Sequence, residues 1–221
     1  MSKSEFEKYA TGHAGIGSLK LHRFKTITQD YISPTIIEER QMNVATMDVF
    51  SRLMMDRIIF LGCPVHDDAA NIIQAQLLFL ESVDPDKDIQ FYINSPGGEV
   101  ASGLALYDVM RAVKCPVRTV CVGTAASMAA ILFASGTERG ILPHGKIMIH
   151  DPLTTGINGS ALTIDSLSRN LMETRQITAG ILAKHTGRPL DEIFACTAKD
   201  TYFNAQEAVG FGLADYIVEE M

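Results

Sequence analysis

The chain predicts an α/β fold, a mainly parallel sheet covered by helices, on three observations. Short apolar runs rich in β-branched residues recur at 58–61, 89–93, 117–122 and 146–149. Stretches with apolar residues at helical spacing follow the first three of them. The joints carry turn chemistry, as in Asn94-Ser95-Pro96-Gly97-Gly98 and Gly123-Thr124-Ala125-Ala126. Parallel neighbours need a long crossover, and the helical stretches supply it.

Residues 1–31 are polar, mixed in charge and aperiodic, so an arm or propeptide is expected there, with one domain over 32–221. From Met42 the pattern tightens, and Val49, Phe50, Leu53 and Met54 fall at helical spacing. The strand at 58–61 stops at Gly62, and a helix follows with Asp68 as its expected cap. Its expected buried face is Ile72, Ile73, Ala75, Leu77 and Leu78. After Asp84-Pro85-Asp86 comes the strand at 89–93, then a helix striped by Val100, Leu104, Ala105, Val109 and Val113 and closed off by Pro116. The run 117–122 turns through 123–126 into a helix opening at Ser127, and the strand at 146–149 ends at His150.

Residues 151–159 offer little for a core to hold, with Thr154, Thr155, Gly156, Asn158 and Gly159 among them, so this segment is expected to project. Ile164, Leu167, Leu171, Ile177, Ile181 and Leu182 then predict a long helix ending near His185-Thr186-Gly187. A helix over 190–195 precedes a capping pair, Asn204 with Glu207, whose short helix ends at Gly210 and Gly212. The last expected strand is 214–218.

Composition limits the function classes. The apolar fraction is 47%, and no apolar run is long enough to span a bilayer. The nearest, 117–134, carries Arg118 and several small polar residues. The first residues lack the hydrophobic segment of a secretory signal, so a cytoplasmic location is expected. Cys63, Cys115, Cys121 and Cys196 have no CxxC spacing, which fits reduced thiols better than a disulfide framework or zinc site. A net charge of −7 provides no basic face for nucleic acid or anionic lipid.

The chemistry-bearing residues gather at strand ends, where sites form in open α/β sheets. Ser127 stands on a small-residue turn between strand and helix, a context that exposes a hydroxyl beside free backbone N–H groups. The bland alternative is a helix N-cap serine. His150 ends an apolar strand, and a neutral imidazole there can take the serine proton and return it to a leaving amine. Asp200 is the expected third member, holding the imidazole in its reactive tautomer; the competing reading is a solvated loop aspartate beside Lys199. Asp151 is set aside because adjacent strand residues point to opposite faces. If the turn at Gly97-Gly98 lies beside Ser127, the N–H groups of Gly98 and Met128 are the expected oxyanion donors.

In order, Phe50-Ser51-Arg52-Leu53, Arg57-Ile58-Ile59-Phe60-Leu61-Gly62, Tyr92-Ile93-Asn94-Ser95-Pro96-Gly97-Gly98, Gly123-Thr124-Ala125-Ala126-Ser127-Met128-Ala129-Ala130 and Met148-Ile149-His150 resemble the proteolytic subunits of bacterial Clp proteases. The resemblance runs from Ile32 to the C-terminus. It implies a crotonase-like fold of repeated β-β-α and βα units, with a strand-helix handle projecting over about residues 151–185. It implies a serine endopeptidase with Ser127 as nucleophile, His150 as base and Asp200 third, the last placed by its spacing from His185-Thr186-Gly187. The family's oxyanion donors fall on Gly98 and Met128. It further implies a homo-oligomer of two stacked heptameric rings enclosing the sites, and unfolded proteins as substrates. The implied partner is an AAA+ unfoldase of the ClpX, ClpA or ClpC type that uses the ATP, this chain carrying no Walker-type loop and needing no cofactor or metal.

Two positions depart from the family pattern. Gln90 stands where many members have an aromatic residue in the groove for the ATPase. Lys199 stands where many have arginine, whose fork suits ring-to-ring ion pairs better. Both sustain an alternative reading as a low-activity structural or regulatory subunit of a mixed ring. A crotonase-type acyl-CoA enzyme is the other alternative, disfavoured because such enzymes rely on carboxylates rather than an activated serine.

Overall fold

The computed structural model describes residues 35–40, 43–154, 156 and 158–219, so the arm expected over 1–31 lies outside the described residues. The chain divides into two units, Met1–Leu53 and Met54–Met221. In the first, β1 (Thr35–Arg40) and β2 (Asn43–Asp48) pair antiparallel in a register running from Thr35↔Asp48 to Arg40↔Asn43, a hairpin the periodicity did not reveal. Helix α1 (Val49–Met55) follows, as its spacing predicted. Asp48 starts it: its carboxylate accepts from the Ser51 hydroxyl at 2.5 Å and the Ser51 N–H at 3.0 Å. These bonds, the hydroxyl's first, hold the carboxyl below its ordinary pKa.

The second unit is built on parallel strands in the order β3 (Ile58–Leu61), β4 (Ile89–Ser95), β5 (Val117–Ala126), β6 (Arg139–Ile141) and β9 (Tyr216–Ile217). Strand β5 continues through the expected turn at 123–126, and this length lets it serve two neighbours. Thr119–Cys121 pair with β6, while Thr124–Ala126 pair parallel with β7 (Lys146–Ile149). Strand β8 (Thr201–Phe203) joins β7 antiparallel. The crossovers from β3 to β4 and from β4 to β5 are α2 (Asp67–Val83) and α3 (Val100–Ala112). Helix α4 (Met128–Ala134) leaves the end of β5, and α5 (Ala161–Thr186), α6 (Leu190–Thr197) and α7 (Ala205–Phe211) complete the fold. The mixed α/β class with a mostly parallel sheet is as predicted.

Helix α4 lies within the core. None of its residues is more than 6% exposed, because it is apolar on every side and its alanines let neighbouring elements approach closely. The other helices follow a stripe. In α2 the buried positions are Ala70, Ile73, Leu77 and Leu80, whereas Ile72, Ala75 and Leu78, expected inside, are exposed. The helix is apolar on two faces, and periodicity cannot tell which one meets the sheet. Its cap also differs: His66, not Asp68, accepts from the Ala69 N–H. In α3, Leu106, Tyr107 and Met110 are buried, with Val113 just beyond the helix, while Val100, Leu104 and Val109 are half-buried and Ala105 is exposed.

Residues 151–154, 156 and 158–160 carry no regular structure before α5. Ser160 caps α5 by accepting from the Thr163 N–H, and Gly187 ends it in the left-handed region, close to the predicted end. Only Thr178, Ala179 and Leu182 of this helix are buried; Leu162, Ile164, Leu167, Met172 and Ile177 are exposed. Asn204 and Glu207 form the expected capping box of α7. Gly210 lies inside that helix rather than ending it.

Candidate active site

Ser127 sits where β5 becomes α4. Just before it the β4–β5 ladder shifts register, from Ile93↔Cys121 to Ser95↔Ala125, and the Asn94 side chain compensates by accepting from the Thr124 N–H at 3.0 Å. Ser127 itself has φ 54° and ψ −122°, a backbone conformation that L-residues seldom adopt and that surrounding structure must enforce. Two contacts do so. The Ser127 N–H donates to the Met148 carbonyl at 2.8 Å, continuing the pairing to β7. Gly97 presses from the β4 side, where a Cβ would meet the Ala126 carbonyl and lie 2.7 Å from Ser127 Cβ and 2.9 Å from the Met128 nitrogen.

The serine hydroxyl does not cap α4. Its Oγ lies 2.8 Å from His150 Nε2, within hydrogen-bond reach, so the N-cap alternative does not hold. His150 leaves the end of β7, and its side chain is 15% exposed. Strand β8 supplies the opposite side. Its antiparallel register, Ile147↔Phe203, Met148↔Tyr202 and Ile149↔Thr201, brings Asp200 opposite His150 when extended by one residue. His150 Nδ1 is 3.3 Å from Asp200 Oδ1, and the aspartate side chain is 59% exposed. The contact lacks hydrogen-bond geometry, leaving Nδ1 buried without a hydrogen-bond partner among the described residues.

The turn at Gly97-Gly98 lies beside Ser127, the condition on which the predicted donor pair depended. Gly97 (φ 85°) and Gly98 (φ 153°) occupy backbone regions that favour glycine. A parallel bridge to Val65 fastens the turn, with Val65 N–H donating to the Gly97 carbonyl at 2.9 Å and Glu99 N–H to the Val65 carbonyl at 2.8 Å. Among the described residues neither the Gly98 nor the Met128 N–H has a hydrogen-bond partner, so both are available to an anionic oxygen. The four cysteines are free thiols, and burial pushes Cys121 up to about 11, an inert thiol rather than a nucleophile. Among the described residues no His, Cys, Asp or Glu cluster has the make-up of a metal site.

Sequence reading missed how Gly97 enforces the Ser127 conformation. It also missed that Asp151, beside His150, is held by Arg175. The first had a signal in the double glycine; the second had none, because the partners belong to separate elements.

A strained serine in contact with an imidazole, beside free N–H groups at a helix start, has the parts of an acyl-transfer hydrolase of the serine class. The family model for Clp protease matches residues 40–221. The chain is 48% identical over 219 residues to a protein of Porphyromonas gingivalis named ATP-dependent Clp protease proteolytic subunit, covering 98% of each chain. Proteins of the same name from Bacteroides fragilis and Bacteroides thetaiotaomicron are 45% and 46% identical over 216 residues, covering 97% of this chain and 98% of theirs. The chain therefore belongs to the Clp protease family, and it is a serine-type peptidase.

Proposed function

We propose that Ser127, His150 and Asp200 are the catalytic set of this peptidase, and that it cuts unfolded polypeptides into short peptides through an acyl-enzyme. The observation that carries the assignment is the 2.8 Å contact between Ser127 Oγ and His150 Nε2 on a turn no ordinary loop would adopt. Ser127 Oγ attacks the scissile carbonyl while its proton passes to Nε2. The carbonyl oxygen becomes an oxyanion held by the N–H groups of Gly98 and Met128. Collapse breaks the C–N bond, and the imidazolium returns its proton to the leaving amine. Water, deprotonated by the same imidazole, then releases the acyl group. Asp200 orients the ring and offsets its charge.

The wider context rests on family membership. The chain works in the cytoplasm as a homo-oligomer of two stacked heptameric rings, fed by an AAA+ unfoldase that spends the ATP, and it carries no cofactor of its own. Supporting assembly, large apolar side chains stand exposed on α2 (Ile72, Leu78, Phe79, Val83) and α5 (Leu162, Ile164, Leu167, Met172, Ile177), faces that a neighbouring subunit would cover. Among the described residues no helix is long and apolar enough to cross a membrane.

A fluorophosphonate probe tests the assignment. Labelling of the assembled wild type, lost in Ser127→Ala and His150→Ala, is the expected result. A second reading, a ring subunit of low intrinsic activity, draws on the imperfect His150–Asp200 contact. An assembled ring, verified by native mass, that takes no label favours it.

A further inference from the structure

We infer that Arg175, acting through Asp151, is a positioning residue that sets the alignment of His150 with Asp200; this rests on the catalytic assignment proposed above. Asp151 directly follows His150, and its carboxylate accepts a hydrogen bond from Arg175 Nε at 2.6 Å. The Asp151 N–H donates to the Thr197 carbonyl at 2.7 Å, at the end of α6 and three residues before Asp200. The Arg175 guanidinium also lies over the Phe194 ring, 4.1 Å from its centroid, on the same helix α6. One cation on α5 thus grips both chains that carry the imidazole and its partner: the exit of β7 through Asp151, and the approach to β8 through Phe194.

Three features give this grip consequence. The ion pair is only partly exposed, 26% for Arg175 and 28% for Asp151, so water screens it less than a surface pair. The contact it controls is not closed by a bond of its own, since Nδ1 and Asp200 are 3.3 Å apart without hydrogen-bond geometry. A contact so poised responds to a small displacement of either chain. Finally, Arg175 lies one turn before the buried stretch Thr178–Ala179, so it links the start of the buried part of α5 to the site's framework.

The test compares Arg175→Ala, Arg175→Lys, Asp151→Asn and the double variant Arg175→Ala/Asp151→Asn with wild type, each as an assembled particle of confirmed native mass. Peptide hydrolysis is read as kcat and KM separately. Expected are a fall in kcat on the order of tenfold in Arg175→Ala and in Asp151→Asn with KM unchanged, because misplacing the base costs rate and not binding. The double variant should be no slower than the worse single one, and Arg175→Lys should recover part of the loss. Additive losses, a change confined to KM, or wild-type kcat in both single variants overturns the inference. Should Arg175→Ala not fold, Asp151→Asn, which preserves shape, decides alone by its kcat. Failure of the underlying assignment is separately visible: it would appear as wild-type hydrolysis by Ser127→Ala.

Discussion

The two sides of His150 are built in different ways. Toward Ser127, Nε2 meets an oxygen at 2.8 Å, on a turn clamped by Gly97, by the Met148 carbonyl and by a helix buried throughout. Toward Asp200, Nδ1 meets a carboxylate that is 59% exposed, at 3.3 Å and out of hydrogen-bond alignment. Ser127 is over-determined by packing, while the Asp200 side is held by the register of a short antiparallel ladder, by the tie from Asp151 to α6, by the Thr201 hydroxyl donating to the Cys196 carbonyl at 2.7 Å and by Arg175 lying over Phe194. Ser127 is thus fixed by the fold, and the Asp200 carboxylate is left adjustable.

The largest effect belongs on the rigid side. Ser127→Ala is expected to lower hydrolysis by on the order of 10³-fold or more, read as kcat on a peptide substrate; a smaller loss would place the nucleophile elsewhere. Gly97→Ala tests the clamp. A Cβ there meets the Ala126 carbonyl and Ser127 Cβ, and φ is 85°, so a loss of stability of about 2 kcal/mol and a fall in kcat on the order of 10²-fold are expected. Denaturant unfolding beside kinetics measures both; wild-type values would mean that the turn is not enforced from this side.

Asp200→Asn should cost far less than the ~10⁴-fold typical of a buried, hydrogen-bonded triad aspartate, on the order of tenfold in kcat. A loss near the typical value would show that the 3.3 Å contact closes into a full bond during turnover, which erases the contrast between the two sides.

Farther along α5, burial first, then Arg111, Lys184 and Arg139, push the His185 imidazole down from 6.5 to about 4. The folded protein therefore binds that proton less readily than the unfolded chain. Stability from this group is full above 6.5 and is lost as pH falls toward about 4. Melting temperature followed across that window should drop, and His185→Gln should flatten the slope. An equal slope in the variant assigns the effect to other groups.

The smallest effect is expected at Thr197, 3% exposed, whose hydroxyl has no hydrogen-bond partner among the described residues. Thr197→Val should leave stability unchanged or raise it by about 1 kcal/mol, since it removes an unpaired buried oxygen and keeps the carbonyl that receives the Asp151 N–H. Destabilisation in a thermal melt would reveal a partner for that hydroxyl and a firmer Asp200 side than the geometry implies.

The residues differ in how readable they were. Ser127 and His150 carry a local signal, a small-residue turn after a β-branched run and a histidine at a strand end, which left the N-cap reading of the serine open until the ordered family motifs singled the pair out. Asp200 had a weak local signal and a family spacing behind it, and its reason for being there is the β7–β8 register, which joins residues about fifty apart. Periodicity marked α2 as a helix but chose partly the wrong face. Ile72 and Leu78 are as apolar as Ile73 and Leu77, and only the sheet decides which pair is covered. Strand β6 went unseen because three residues carry too little pattern to register.

The amino-acid sequence alone was enough to determine the alternation of strands and helices, the parallel sheet and the serine-peptidase family, and to single out Ser127 and His150, the pair that the structure brings into contact. These follow from short-range periodicity, turn chemistry and ordered motifs, which act within a few residues. The clamp of Gly97 on Ser127, the arrival of Asp200 beside His150 and the grip of Arg175 on Asp151 were decided by tertiary structure. Each depends on which distant backbones lie side by side, and strand register and helix packing settle that only when the whole chain is folded.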